Sequence, residues 1–154
     1  MPELLIGLAV LVSVLVYTVF IVIDMKEKQA IKNEVIDLLG QQGEVIHNDK
    51  QTLFKGKHKT YEVLFYKIGK THELTVNSPM IWEILTKTNS RLVNQSNFLS
   101  SDYEKIIILY PMTSKLRRYI NENEMVFVDY RDVFLNMRLV KLSELTRLLS
   151  DVEL

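Results

Sequence analysis

Two glutamates are the residues whose types and spacing come closest to a catalytic pair. Glu62 and Glu73 lie on two consecutive predicted strands. Paired carboxylates on neighbouring strands can act as general acid and base or hold a divalent metal. The same spacing fits two solvated side chains that flank a hairpin. Because no further catalytic group accompanies them, we interpret both as solvated.

The other residue types that common active sites need are absent or scattered. The chain has no cysteine, 3 histidines and 5 glycines. Structural zinc sites need four ligands in close spacing, and phosphate-binding loops need several glycines. We therefore predict no metal site, no cofactor and no cysteine nucleophile, and we favour a function other than catalysis. The histidines, which lie far apart, are His47, His58 and His72.

Lysines cluster over residues 50–70, where Glu62 is the acidic residue. Three of them, Lys55, Lys57 and Lys59, flank a predicted turn beside aromatic residues. Such a cluster can contact anionic lipid headgroups or nucleic-acid phosphates, and lysines also protect sheet edges from aggregation. We rank edge protection first, lipid or protein contact second and nucleic acid last.

An acidic cluster lies further along the chain. The sequence alone does not set it apart from an ordinary solvated face, and we interpret it in that way. Its residues are Glu122, Glu124, Asp129 and Asp132, with Arg131 among them.

An uncharged run near the N-terminus organises the rest of the chain. Residues 4–23 form a stretch of about 20 residues, the length that an α-helix needs to cross a bilayer. A cleavable signal peptide needs a basic start and small residues at its cleavage site, and a small soluble core rarely surrounds so long a helix. We therefore predict a transmembrane helix. Its predicted membrane-spanning residues are Leu4, Leu5, Ile6, Leu11, Val14, Leu15, Val19, Phe20 and Ile23.

The charges beside this helix predict its orientation. No lysine or arginine precedes the run, whereas Lys26, Lys28 and Lys32 follow it closely. Basic residues near a span are retained in the cytoplasm. We expect a single-pass protein of the cell membrane, with the N-terminus outside and the remaining chain in the cytoplasm. Asn94 with Ser96 matches a glycosylation site, which we interpret as chance.

The sequence predicts an anchor over residues 1–25 and one α/β domain over residues 26–154. Apolar residues at helical spacing predict a helix over residues 24–39 that continues the membrane helix as one rod. Strands are predicted over residues 44–48, 53–54, 60–68 and 72–77. The last two strands are expected to pair as an antiparallel hairpin.

Helices and buried strands are predicted to alternate in the second half. Ser78 and Pro79 open a predicted helix that ends near residue 87, and a polar loop follows over residues 89–102. Apolar runs over residues 105–110 and 125–129 are predicted to form a parallel pair.

A helix capped by Thr113 or Ser114 is expected to join these two strands by a right-handed crossover. A strand over residues 137–142 and a helix capped by Ser143 end the pattern. The predicted fold is a mixed-sheet α/β sandwich.

This element order resembles the restriction-endonuclease-like fold, including its nuclease-related and Mrr-like branches. Active members of that family carry an acidic residue on the second strand and a D/E-x-K pair on the third, which bind a divalent metal. The resemblance covers residues 26–149 and places Glu62 and Glu73 at the acidic positions. Thr75 stands where the family has lysine. The resemblance therefore implies an inactive nuclease site.

We expect a membrane-tethered, non-catalytic interaction or scaffolding domain, whose partners are the lipid bilayer and a protein at or near the membrane. One alternative is a membrane-anchored, metal-dependent nuclease in which Lys67 or Lys70 replaces the missing lysine. In another alternative the membrane helix itself carries the function by pairing with another membrane protein. Gly7 and Ala9 would then form a small-residue patch for this helix pairing.

Overall fold

The computed structural model describes residues 2–48 and 50–154 and, in the first helix, the side chains from Ile6 onward. The chain divides into two compact units, Met1–Leu38 and Leu39–Leu154. The side chains of Leu4 and Leu5, which were predicted to span the membrane, lie outside the described part.

A single helix, α1, extends over Pro2–Gly40. Its hydroxyl groups bond within the helix, because Ser13 donates to the carbonyl of Ala9 and Thr18 donates to the carbonyl of Val14, each at 2.8 Å. These hydroxyls therefore need no water. The helix is long and apolar enough to cross a membrane. The prediction of one continuous rod is confirmed.

The described residues of the predicted membrane span all have exposed side chains. They are Ile6, Leu11, Val14, Leu15, Val19, Phe20 and Ile23. A continuous apolar surface of this kind is unfavourable in water and is typical of a helix surrounded by lipid.

Ten strands and a short C-terminal helix lie in the described part of the second unit. The strands are β1 (Glu44–His47), β2 (Thr52–Lys55), β3 (Thr60–Lys67), β4 (Glu73–Val76), β5 (Ile81–Leu85), β6 (Ser90–Asn94), β7 (Glu104–Tyr110), β8 (Leu116–Asn121), β9 (Glu124–Phe127) and β10 (Met137–Lys141). A 3-10 turn at Leu142–Glu144 leads into α2 (Leu145–Asp151).

The strands form two mixed sheets. Sheet A has the order β1-β2-β3-β7-β10, in which β3, β7 and β10 run parallel. Sheet B has the order β6-β5-β4-β8-β9, in which only β4 and β8 run parallel. The predicted α/β class with mixed sheets is confirmed, and the strands are divided between two sheets.

The hydrophobic core lies between the two sheets. Ile107 and Leu109 of β7 pack in one cluster with Leu74, Trp82 and Leu116 of sheet B. From its second residue to its last, β7 is buried, as its continuous apolar run predicted. Strand β7 is therefore covered on both of its faces.

Two of the predicted helices are strands. The segment after Ser78 forms β5, and the Ser78 hydroxyl accepts a hydrogen bond from the Ile81 amide at 3.0 Å within a turn. The segment expected after Ser114 forms β8. Leu116, Tyr119 and Ile120 have helical spacing, but Leu116 is buried whereas the other two are exposed. Here tertiary pairing decides the structure against the local pattern.

Strand pairing also differs from the prediction. The expected hairpin of β3 with β4 is wrong, because β4 lies in sheet B, and β3 pairs with β2 and β7. The expected parallel pair of β7 and β9 is also wrong, since β9 pairs antiparallel with β8. Parallel pairing of β3 with β7 continues over seven residue pairs and buries apolar side chains along both strands.

Two smaller predictions are corrected as well. The expected loop over residues 89–102 contains strand β6, which pairs with β5. Ser143 does not cap the last helix, because α2 begins after Glu144 without a side-chain capping bond.

A buried lysine on β7 binds the loop that precedes this strand. Lys105 is 4% exposed, and its ammonium group donates to the carbonyls of Ser101 and Tyr103, each at 2.6 Å. Its backbone is the register partner of Glu62 on β3. A charged residue at the start of an apolar run is normally solvated, so this role of Lys105 was not predictable from the local pattern.

We expect the Lys105→Met variant to lower the free energy of unfolding by about 1–3 kcal/mol, because two carbonyls lose their charged donor while the apolar stem is kept. Urea unfolding of the full-length chain in detergent micelles measures this difference. The exposed Lys87→Met variant is the control, with an expected change within about 0.5 kcal/mol. Equal effects of the two variants would contradict the role of Lys105.

Candidate protein-interaction site

The structure places the two candidate catalytic glutamates in different sheets. Glu62 lies on β3 in sheet A, where it accepts a hydrogen bond from the Ser101 hydroxyl. Glu73 lies on β4 in sheet B, where the guanidinium of Arg117 binds it at 2.6 Å. The two carboxylates are therefore not brought together on adjacent strands.

The two lysines of the nuclease alternative and His47 also do not form a metal site within the described part of the chain. Lys67 ends β3, and Lys70 lies in the turn before β4. Nδ1 of His47 shares a hydrogen bond of 2.8 Å with the hydroxyl of Thr52. Over residues 2–48 and 50–154, no group of three or more histidines and acids is placed to hold a metal ion.

Each lysine of the predicted anionic-surface site is paired with a carboxylate of the chain itself. Lys55 lies 3.6 Å from Glu44 across the β1-β2 pair. Lys57 pairs with Glu153, and Lys59 pairs with Glu104. The three lysine side chains stay more than half exposed, so these are surface ion pairs of modest strength.

The pairing changes the electrostatics of this lysine group. The hydrogen bond to Glu104 raises the pKa of Lys59 above its usual value, and the bond from Lys57 lowers the pKa of Glu153. Both shifts favour the charged pairs. The positive charge of Lys55, Lys57 and Lys59 is therefore compensated within the domain.

The acidic cluster has no such compensation. Within the described residues, none of its four acids forms an ion pair with a lysine or arginine. The acids are Glu122, Glu124, Asp129 and Asp132. The only base among them, Arg131, binds Asp151 at 2.5 Å instead. The cluster therefore keeps its negative charge.

Asp151 of α2 fixes the loop that follows β9. It accepts hydrogen bonds from the Tyr130 hydroxyl at 2.7 Å and from Arg131 at 2.5 Å. These two bonds, with a further one from Ser150, lower the pKa of Asp151 from 3.8 to about 2. The bond to Asp151 also raises the pKa of Tyr130. The acidic loop is thereby held against the C-terminal helix.

Large apolar side chains are exposed on the β8-β9 hairpin next to these acids. Phe127 is 68% exposed, and Tyr119, Ile120 and Met125 are each about half exposed. Phe127 and Met125 oppose Arg117 and Tyr119 in the β8-β9 register, on the side of sheet B away from the core. The hairpin therefore combines exposed apolar area with two carboxylates, Glu122 and Glu124, that have no ion-pair partner within the described residues. Its two arginines are engaged elsewhere, because Arg117 binds Glu73 and Arg118 stacks on the ring of Phe134.

A β-bulge shapes this hairpin. Tyr119 pairs with Met125 and Asn121 pairs with Glu124, so Ile120 has no partner in the register. A bulge of this kind bends the strand and redirects the side chain of the extra residue. Beside it lies a cleft of about 420 Å³, lined by Asn77, Tyr119, Ile120, Asn121 and Glu122.

Strand β9 is an open edge of sheet B. It pairs on one side with β8 and is the last strand in the sheet order. Within the described residues, no backbone hydrogen bond joins its outer side to another segment. An edge strand with free amide and carbonyl groups is a template for a further strand.

Sequence reasoning missed this site because it assigned the β8 segment to a helix. A helix would have buried Tyr119 and Ile120 together with Leu116. The available signal was the polar stretch over residues 121–124, with asparagines and glutamates between two β-prone runs, which favours a hairpin.

Comparisons of the chain with protein-family profiles, with curated proteins and with solved structures found no match. The resemblance to restriction-endonuclease-like proteins therefore stays a prediction.

The pKa of Asp151 predicts an acid-sensitive contribution to stability. Because this pKa is lowered on folding, the contribution is present above about pH 4 and is lost as the pH falls toward 2. We expect the Asp151→Asn variant to be less stable than wild type at pH 7, with a difference that shrinks below pH 4. Urea midpoints of the full-length chain across this range measure it, with Glu122→Gln as the control. A difference that stays constant to the lowest pH would contradict the assignment.

Proposed function

We propose that the chain is a single-pass membrane protein of the cell membrane whose cytoplasmic domain is a non-catalytic module that binds another protein. The observation that carries this proposal is the β8-β9 hairpin, where Phe127 and its apolar neighbours are exposed at an open sheet edge. Exposed aromatic side chains grouped in this way are typical of protein interfaces.

The membrane part of the proposal rests on α1. Its apolar run ends before Asp24, and Lys26, Lys28 and Lys32 follow on the same helix. Basic residues at one end of a span favour the cytoplasmic side. This distribution supports an outer N-terminus and an inner domain.

A protein partner is better supported than lipid headgroups or nucleic acid. Both of those ligands are anionic, and the lysines that would contact them are paired with Glu44, Glu153 and Glu104. The exposed apolar surface lies instead beside acids without cationic partners. Negative charge at this hairpin repels phosphate groups.

The nuclease alternative has one supporting feature, the register pairing of Glu62 with Lys105. The second glutamate, Glu73, is bound to Arg117 in the other sheet. Metal-dependent cleavage of DNA or RNA by the full-length chain, lost in Glu62→Ala, would favour this alternative over the proposed function.

Orientation can be tested with protease added to intact cells and to inverted membrane vesicles. We expect the domain to be cleaved only in inverted vesicles, because the lysines after the span stay inside. Replacing Lys26, Lys28 and Lys32 by glutamine while adding lysines before residue 4 is expected to produce chains of inverted orientation. Cleavage of the wild-type domain in intact cells would contradict the proposal.

Photo-crosslinking from the hairpin tests the interaction. Phe127 is replaced by a photo-crosslinking phenylalanine analogue in the full-length chain, which is expressed in the native host cells. Leu92 is the matched control, because it is 63% exposed and lies at the opposite edge of sheet B. We expect crosslinks to a defined protein from position 127 and not from position 92. Crosslinks to lipid alone, or equal crosslinks from both positions, would contradict the proposed function.

A further inference from the structure

The open edge of β9 offers backbone groups as well as side chains. Glu124–Phe127 pairs with β8 on one side, and the other side has no neighbouring strand within the described residues. An extended peptide can pair with such an edge and continue the sheet by backbone hydrogen bonds. Alternate side chains of the added strand would then lie beside Met125 and Phe127.

The charges around this edge select the chemistry of the added strand. Glu122 and Glu124 lie at its beginning, and Asp129 and Asp132 follow its end. Within the described residues these acids form no ion pair with a lysine or arginine, whereas Lys55, Lys57 and Lys59 are paired with other carboxylates. The complementary segment therefore carries lysine or arginine.

We propose that β9 binds an extended segment of a partner protein, with basic and apolar residues in alternation, as an added sixth strand of sheet B. This inference rests on the proposed function and specifies the class of partner. A second copy of the chain is disfavoured as the occupant, because its β9 would bring the same acids to the contact.

The test uses the full-length chain in nanodiscs of neutral phosphatidylcholine. The probe is a fluorescent peptide of about ten residues in which lysine and valine alternate, the pattern of strand addition. Fluorescence anisotropy measures its affinity. We expect binding that weakens as salt is raised, since screening reduces attraction between exposed charges.

Two matched peptides separate the components of the interaction. In one peptide glutamate replaces lysine, and in the other prolines replace alternate valines and remove backbone donors. We expect neither to bind measurably. Equal binding of the acidic peptide would overturn the charge argument, and equal binding of the proline peptide would overturn strand addition.

Variants of the chain locate the site. We expect Phe127→Asp to abolish binding and Leu92→Asp, at the opposite edge, to retain it. Neutralising the acids by Glu122→Gln, Glu124→Gln, Asp129→Asn and Asp132→Asn is expected to weaken binding about tenfold or more, because each exposed pair contributes modestly. Asparagine at positions 129 and 132 keeps a side-chain oxygen that can accept the hydrogen bonds from the backbone amides of Asp129 and Arg131 in the turn after β9.

The outcomes distinguish this inference from the proposed function. Failure of the lysine peptide to bind, with protein crosslinks still formed from position 127, overturns strand addition alone. Binding of the nanodisc-free chain to phosphatidylserine vesicles through Phe127, without peptide binding, identifies a membrane surface as the occupant and overturns the inference. Unchanged peptide affinity in Phe127→Asp also overturns it.

Discussion

The packing of two mixed sheets against each other determines how the remaining residues of the domain are exposed. Leu74, Trp82 and Leu116 of sheet B face the core with the apolar side chains of β7. Because side chains alternate along a strand, the intervening residues of sheet B must face away from that core. Phe127 is one of them, and it is 68% exposed. The exposed hairpin thus follows from the alternation of side chains along β9, and it is the surface on which the proposed partner would pack.

The two charged clusters differ in whether their side chains form ion pairs within the domain. The lysines around the β2-β3 turn are compensated by Glu44, Glu104 and Glu153, which come from three separate parts of the domain. Arg131, the one base inside the acidic cluster, is bound to Asp151 of α2. The three lysines that looked functional in the sequence therefore have carboxylate partners, whereas the four acids that looked like a solvated face have no lysine or arginine partner within the described residues. This contrast is the basis for proposing a basic protein segment and not a phosphate-bearing ligand as the partner.

The sequence predicted the features that depend on local composition. The apolar run of α1, its continuation to Gly40, the strands β3, β7 and β10 and the mixed-sheet α/β class follow from length, hydrophobicity and β-branched content. The division of strands between two sheets was not predictable in this way, because pairing of β3 with β7 joins segments about forty residues apart and depends on tertiary contacts. The prediction for the β8 segment was wrong for a related reason, because its apolar spacing fits a helix as well as a strand. The ion pairs that neutralise the lysines join distant residues and left no local signal.

The most direct test of the account is hydrogen-deuterium exchange of the backbone amides of β9, measured on the full-length chain in native membrane vesicles and again after purification into neutral nanodiscs. We expect slow exchange over Glu124–Phe127 in native membranes and faster exchange after the partner is removed, while Ser90–Asn94 at the opposite edge of the sheet exchanges alike in both. Exchange over Glu124–Phe127 that is the same in the two preparations would contradict the proposal that the domain binds its partner at this edge.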